Sequence, residues 1–256
     1  TLWRSSRPGF YHLKSRRLLF KSQSSLTRKP MIDCNVKNRR GRTVAIVQAR
    51  MSSRRLPGKV MKNIAGEPAI GILLRRLAQA QRLDAIWLAC STNSADDLLA
   101  EYVQGLHVPT FRGDETDALK RFAECADGAT ARVIVRITAD CPLIDGKIVD
   151  DVVSVFHEAD VDYVSNGAEK TFPDGLDVEV FTREALDRAN CEAKEEFLRE
   201  HVTPYIHGRR SDTLPAGKFK CKSVVHDADF SHLRWTLDTA DDLELLQAIV
   251  ARLGPT

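Results

Sequence analysis

The chain has 256 residues, of which 43% are hydrophobic and 29% charged. That is enough apolar material for a full core, yet no apolar run approaches the roughly 20 residues of a membrane-spanning helix. The formal charge of +3 conceals an asymmetry: residues 1–42 carry 12 Lys/Arg against the single acid Asp33, and the remaining 26 Lys/Arg and 34 Asp/Glu leave the rest at −8.

Residues 1–42 are rich in Arg, Ser and Lys without sustained periodicity, which predicts a disordered basic arm with no catalytic part. Three origins stay open: sequence upstream of a start at Met31, an organellar targeting peptide, or an arm attracted to nucleic acid or membrane. The six cysteines include no C-x-x-C pair, which argues against a zinc knuckle or a disulfide scaffold. A reducing cytoplasm is the default location.

From Thr43 strands and helices alternate. Val44–Val47 reads as a strand, followed by a basic loop and a helix over Glu67–Gln81. Ala85–Ala89 is a second strand, and Ser94 with Asp97 predicts a capping box for the next helix. Val108–Phe111 and Thr116–Ala126 repeat the pattern. Arg132–Ile137 is the most β-rich run, and Asp145–Glu158 is helical. Strands follow near Asp162–Ser165 and Asp177–Phe181, then helices near Arg183–Cys191 and Glu195–Tyr205. A strand near Lys222–His226 and a helix after Asp238 complete the chain. This rhythm predicts an α/β domain over residues 43–254, doubly wound on a mostly parallel sheet.

Ligands of such sheets lie beyond the carboxyl ends of the strands. The first strand ends in the loop R-M-S-S-R-R-L-P-G-K, Arg50 to Lys59. Its four cations, two serines and Pro-Gly turn suit a polyphosphate. It is not a Walker loop, because Ser53 stands where a glycine is required and Val60 follows Lys59. Asp140 ends the β-rich run, where a carboxylate facing that loop suits a magnesium–triphosphate site; an Asx turn before Pro142 is the plainer alternative.

Seven segments appear in one order: V-A-I-V-Q-A-R-M-S-S-R-R-L-P-G-K-V, A-C-S-T-N-S-A-D-D, F-R-G-D-E-T-D, V-R-I-T-A-D-C-P-L-I-D, F-P-D-G-L-D-V-E-V-F, R-E-H-V-T-P-Y-I and H-L-R-W-T-L-D-T-A-D-D-L-E. Together they resemble the cytidylyltransferases of spore-coat polysaccharide biosynthesis and, more distantly, the CMP-ketodeoxyoctonate and CMP-sialate synthetases. The resemblance implies a Rossmann-like nucleotidyltransferase core with a sugar-binding extension. It also implies Mg²⁺-dependent transfer of CMP from CTP to a sugar, with pyrophosphate released. By position, Arg50, Ser53, Arg55 and Lys59 would hold the phosphates and help place the cytosine, with Thr92, Thr138 and Ala139 lining the base pocket. Asp140 and Asp238 would carry the metal and, with Lys59, form the catalytic set. Asp174, Asp177, Glu179, His201 and Tyr205 would face the acceptor. Ser52 stands where these relatives usually have glycine and Arg54 where they usually have threonine, which leaves open which adjacent arginine contacts phosphate.

In a strand over D-G-L-D-V-E-V-F, Asp177 and Glu179 share a face free for sugar hydroxyls. Expected partners are CTP and a sugar, with neither nucleic acid nor membrane, and a homodimer is the default. Another nucleoside triphosphate, a glycosyltransferase on a similar core, and a non-catalytic nucleotide-binding module are the alternatives.

Overall fold

The computed structural model describes residues 41–208 and 218–254; the expected basic arm, apart from its last two residues, lies outside them. The elements in chain order are strand β1 (Thr43–Gln48), the hairpin β2 (Asn63–Ile64) and β3 (Glu67–Pro68), helix α1 (Ala69–Leu77), β4 (Ala85–Ser91), α2 (Asp97–Gly105), β5 (Thr110–Gly113), α3 (Ala118–Gly128), β6 (Val133–Thr138) and α4 (Gly146–Glu158). There follow β7 (Tyr163–Ser165), β8 (Glu179–Thr182), α5 (Arg183–Glu192), α6 (Glu196–His201), α7 (Pro204–His207), β9 (Cys221–Ser223) and α8 (Ala240–Leu253).

Seven strands form one sheet in the order β5-β4-β1-β6-β8-β7-β9. β4, β5 and β6 join β1 in parallel, whereas β8 runs antiparallel to both neighbours. The fold is thus α/β with a mostly parallel sheet and one reversed strand. Residues Thr43–Val47 of β1 are all buried, as a strand covered on both faces requires. Ala45 and Val47 pack with Leu73 of α1, Val103 of α2 and Val152 of α4. Val44 and Ile46 face the other way, onto Phe122 of α3, Leu186 of α5 and Leu198 of α6. A third cluster seats Leu246 and Val250 of α8 on Ile64 and Ile72.

Three local readings change. The expected Ser94 capping box is absent: Ser94–Asp96 make a 3₁₀ turn capped by Asn93, whose side-chain oxygen accepts from Ala95 N at 2.9 Å, and α2 then starts after Asp96 without a side-chain cap. The expected Glu195–Tyr205 helix is two helices, because Val202 turns at φ +69° and Pro204 has no N–H to continue the ladder. The β2–β3 hairpin straddles the start of the expected Glu67–Gln81 helix: Ala65 and Gly66 turn at positive φ, Glu67–Pro68 is a strand, and the helix begins at Ala69.

Candidate active site

The carboxyl ends of β1 and β6 lie side by side, Gln48 paired with Thr138. Ala139 N donates to Gln48 O at 3.0 Å. Above this junction opens a cleft of about 870 Å³, lined by the β1 loop, Thr116, Thr138–Asp140, α6 residues and Asp238. That is near the upper end of ordinary ligand pockets, room for a nucleotide with a second ligand beside it.

The loop is held by its own backbone. Met51 O accepts from Ser53 N at 2.9 Å and Gly58 N at 3.0 Å. Gly58 sits at φ +67°, where a Cβ would also come within 3.3 Å of Met51 Cε, so glycine fits the turn. From below, buried Asp96 accepts from Met51 N at 2.7 Å and from Ser91 N and Oγ at 2.8 and 2.6 Å. These bonds tie the start of the loop to the end of β4 and fix where Lys59 emerges.

Lys59 Nζ stands between Asp140 Oδ2 at 2.9 Å and Asp238 Oδ1 at 2.8 Å, with 14% of its side chain exposed. Asp238 also takes Arg234 Nη2 at 2.8 Å and Arg55 Nη2 at 3.0 Å. A backbone bond brings the two aspartates together, since Leu237 N donates to Asp140 O at 2.8 Å. Burial pushes both carboxyls up, but the Lys59 ammonium, aided by Thr138 at Asp140 and by Arg234 and Arg55 at Asp238, outweighs it and holds both below the usual carboxylate range. Burial likewise pulls the ammonium down, and the two carboxylates more than restore it, leaving it above its usual value. Two carboxylate oxygens converging on one cation make a hard donor pair that fits Mg²⁺. Among the described residues no group of three or more His, Cys, Asp or Glu could hold a metal. Phosphate oxygens and water would therefore complete its shell.

Arg50, Ser53, Arg55, Lys59, Thr138, Ala139, Asp140 and Asp238 all line the cleft, as do Ser52 and Arg54. Arg55 reaches Asp238, and Arg50 pairs with Glu200 at 3.2 Å; Arg54 has no ion pair among the described residues. Thr92 lies outside the lining, its N–H donating to Gly113 O at 2.9 Å.

Of the five residues assigned to the acceptor, His201 lines the cleft and the other four do not. Asp174 pairs with Lys170 at 2.7 Å and joins Leu233 and Trp235 through its backbone. Asp177 folds back on its own turn, accepting from Gly175 N at 3.2 Å, and burial raises its carboxyl. Tyr205 is 5% exposed and its hydroxyl bonds Glu192 and Lys218. Glu179 is not on a free face, because side chains of the neighbouring strands β6 and β7 meet it on that face and leave 14% of it exposed. It pairs with Arg136 and accepts from Tyr163 Oη at 2.6 Å.

Sequence reasoning missed Arg136, Glu196 and Glu200 as lining residues. Arg136 had a visible signal, a cation in the middle of V-I-V-R-I-T. Helix α6 is held at the cleft by its own Arg199, whose partners lie on other segments and are not visible from spacing. That guanidinium donates to Asp117 at 2.6 Å, to Asn190 O and Ala193 O at 3.0 Å, and to Asn190 Oδ1 at 2.8 Å.

A mostly parallel sheet with a cation-rich loop and two carboxylates at its open edge is the architecture of a nucleotidyltransferase. Residues 44–230 match the family described as Cytidylyltransferase, and the chain belongs to that family. It is 32% identical over 218 residues to the spore coat polysaccharide biosynthesis protein SpsF of Bacillus subtilis, covering 82% of this chain and 86% of SpsF. It is 40% identical over 164 residues to a protein of Methanocaldococcus jannaschii, covering 64% and 66%. A 3-deoxy-manno-octulosonate cytidylyltransferase of Geobacter sulfurreducens is 32% identical over 116 residues, 44% of this chain and 45% of that one. The chain thus spans less than two thirds of the latter two relatives. A solved cytidylyltransferase from Leptospira borgpetersenii superposes with a TM-score of 0.78 at 30% identity, covering 83% of this chain and 87% of that one.

Proposed function

We propose that this protein transfers CMP from CTP to a sugar hydroxyl in a Mg²⁺-dependent reaction that serves polysaccharide or glycoconjugate synthesis. The observation that carries the proposal is the convergence of Asp140 and Asp238 on one cation, Lys59, at the foot of the cationic loop. Family membership supports CTP as donor, and the name of the SpsF relative supports a polysaccharide route.

Arg50, Arg54, Arg55 and Lys59 would neutralise the triphosphate, and Ser53 would add a hydroxyl contact. Thr138 and Ala139 would place the base beyond the carboxyl end of β6. Asp140 and Asp238 would hold Mg²⁺, which when bound spreads the charge of the phosphates and the leaving group. The sugar oxygen forms a bond to the α-phosphorus while the bond to pyrophosphate breaks, with the attacking and leaving oxygens in line. The chain's contribution is alignment and charge neutralisation, so no covalent enzyme intermediate is needed.

Pyrophosphate release from each of four nucleoside triphosphates, across acidic and neutral sugars with and without Mg²⁺, tests this. Release is expected with CTP, a sugar and Mg²⁺ together. Equal rates with UTP, or full activity in EDTA, would overturn the assignment.

A further inference from the structure

The α6 side of the cleft has a polar floor to which the proposed mechanism gives no role. Ile46, Ile134 and Phe181 belong to the core layer under α3, α5 and α6. Gln48, Arg136 and Glu179 lie two positions along from them in β1, β6 and β8, and therefore share that face of the sheet. Arg136 donates Nε and Nη2 to Gln48 Oε1 at 3.1 and 2.9 Å, and Nη1 to Glu179. The other Glu179 oxygen accepts from Tyr163. Arg136 and Glu179 are each 14% exposed at the side chain.

This row sets the orientation of Gln48. A guanidinium only donates, so the amide oxygen must be the atom facing Arg136. The amide nitrogen then points away, in a residue that lines the cleft, and its two N–H groups have no hydrogen-bond partner among the described residues. A purely structural purpose explains the row poorly. A buried ion pair seldom stabilises more than apolar side chains of similar volume, and Ile134, Val135 and Ile137 of the same strand are fully buried and apolar. Glu179 also offsets the charge of Arg136, so the floor is a neutral hydrogen-bond donor and not a cation site. Lys59 and Asp238 enter from the other side, since Val60 packs in the layer of α1, α2 and α4 and Leu237 beside Ile72, while Arg50 at the head of the loop crosses to Glu200 at 3.2 Å. Across the floor stand Glu196, Glu200 and His201 of α6.

We infer that Gln48, oriented by Arg136, donates a hydrogen bond to an oxygen of the acceptor sugar and helps select that sugar. The inference rests on the cytidylyltransferase reading. Its test is Gln48→Glu in the full chain, which keeps an oxygen for Arg136 and replaces the donor by a second acceptor; Gln48→Met is the parallel variant without the amide. CTP affinity is measured by calorimetry, and acceptor kinetics at saturating CTP and Mg²⁺ with the sugar that the wild type turns over. The expected result is an acceptor KM raised on the order of tenfold or more in both variants, the scale of a polar substrate group losing its partner. The dissociation constant of CTP should stay within about twofold. An unchanged acceptor KM, or equal losses in CTP affinity and acceptor KM, overturns the inference while leaving the reaction assigned. A wild-type protein that binds no CTP overturns both.

Discussion

Replacing Lys59 by Met keeps most of the stem and removes the charge shared by two carboxylates. The consequences for the aspartates are unequal. Asp238 retains Arg234 at 2.8 Å and Arg55 at 3.0 Å. Asp140 loses its cation and keeps the Thr138 hydroxyl and the Cys141 thiol, the latter at 3.6 Å. Stripping one partner from a buried pair costs about 3–5 kcal/mol. The surviving arginines and the 29% exposure of the Asp140 side chain reduce this to about 1–3 kcal/mol, the cost of one unsatisfied polar group.

The pH dependence gives a sharper test. In the wild type both folded carboxyl pKa values lie below the unfolded 3.8, so their stabilisation is present above 3.8 and lost as pH falls through the folded values. The raised ammonium stabilises below 10.5 and is lost as pH rises through its higher folded value. In Lys59→Met burial at Asp140 is opposed only by the Thr138 hydroxyl, its folded pKa is expected to rise above 3.8, and protonation then favours the fold. Urea unfolding at pH 7 and near pH 4 should therefore show a deficit that shrinks in acid. A deficit of equal size at both pH values, or none at pH 7, would refute the shared-cation reasoning. CTP should bind on the order of ten- to a hundredfold more weakly to the variant.

Asp238→Asn should lower turnover by about a hundredfold or more at saturating Mg²⁺, the several kcal/mol a metal supplies to phosphoryl transfer. Circular dichroism should show α8 intact, because Thr239 and Asp242 close their capping box without the Asp238 carboxylate. Gly175→Ala should cost about 1–3 kcal/mol, read as a lower melting temperature, because φ is +106° and the new Cβ would lie 2.7 Å from the Trp235 carbonyl carbon. Arg199→Met removes four hydrogen bonds that anchor α6. It should raise the acceptor KM more than the CTP dissociation constant, and equal changes in both would detach α6 from the acceptor.

The sheet was legible because its strands are short apolar runs with polar residues at their carboxyl ends, a pattern that follows from burial on both faces. The place of the cationic loop at the cleft was legible for a related reason: four cations in ten residues directly after a strand gather beyond its carboxyl end. The acceptor side was harder to read. Alternation correctly put Asp177 and Glu179 on separate positions from Val178 and Val180, but it carries no information about what lies across from them. The reversal of β8 between β6 and β7 gave Glu179 to Arg136 and Tyr163, a pairing of residues far apart in sequence. Tyr205 was misjudged similarly, since the Val202 turn sends α7 inward. The hairpin at Asn63–Pro68 escaped because its turn uses Ala65 at positive φ, a conformation that composition alone seldom signals.

The bond from Leu237 N to Asp140 O bears on when the site comes into being. Lys59 and Asp238 are 179 positions apart, and β1, β4, β5, β6, β7 and β8 are all complete by Thr182. As the chain emerges during synthesis, the strands and the phosphate loop are available well before the second carboxylate is. Closing so long a loop costs little more than closing one half its length, about 0.6 kcal/mol per doubling, so the delay is one of sequence order and not of energy. A nascent chain halted before Trp235 would carry the cationic loop and Asp140 without Asp238, and binding competence would arrive with the docking of the last segment.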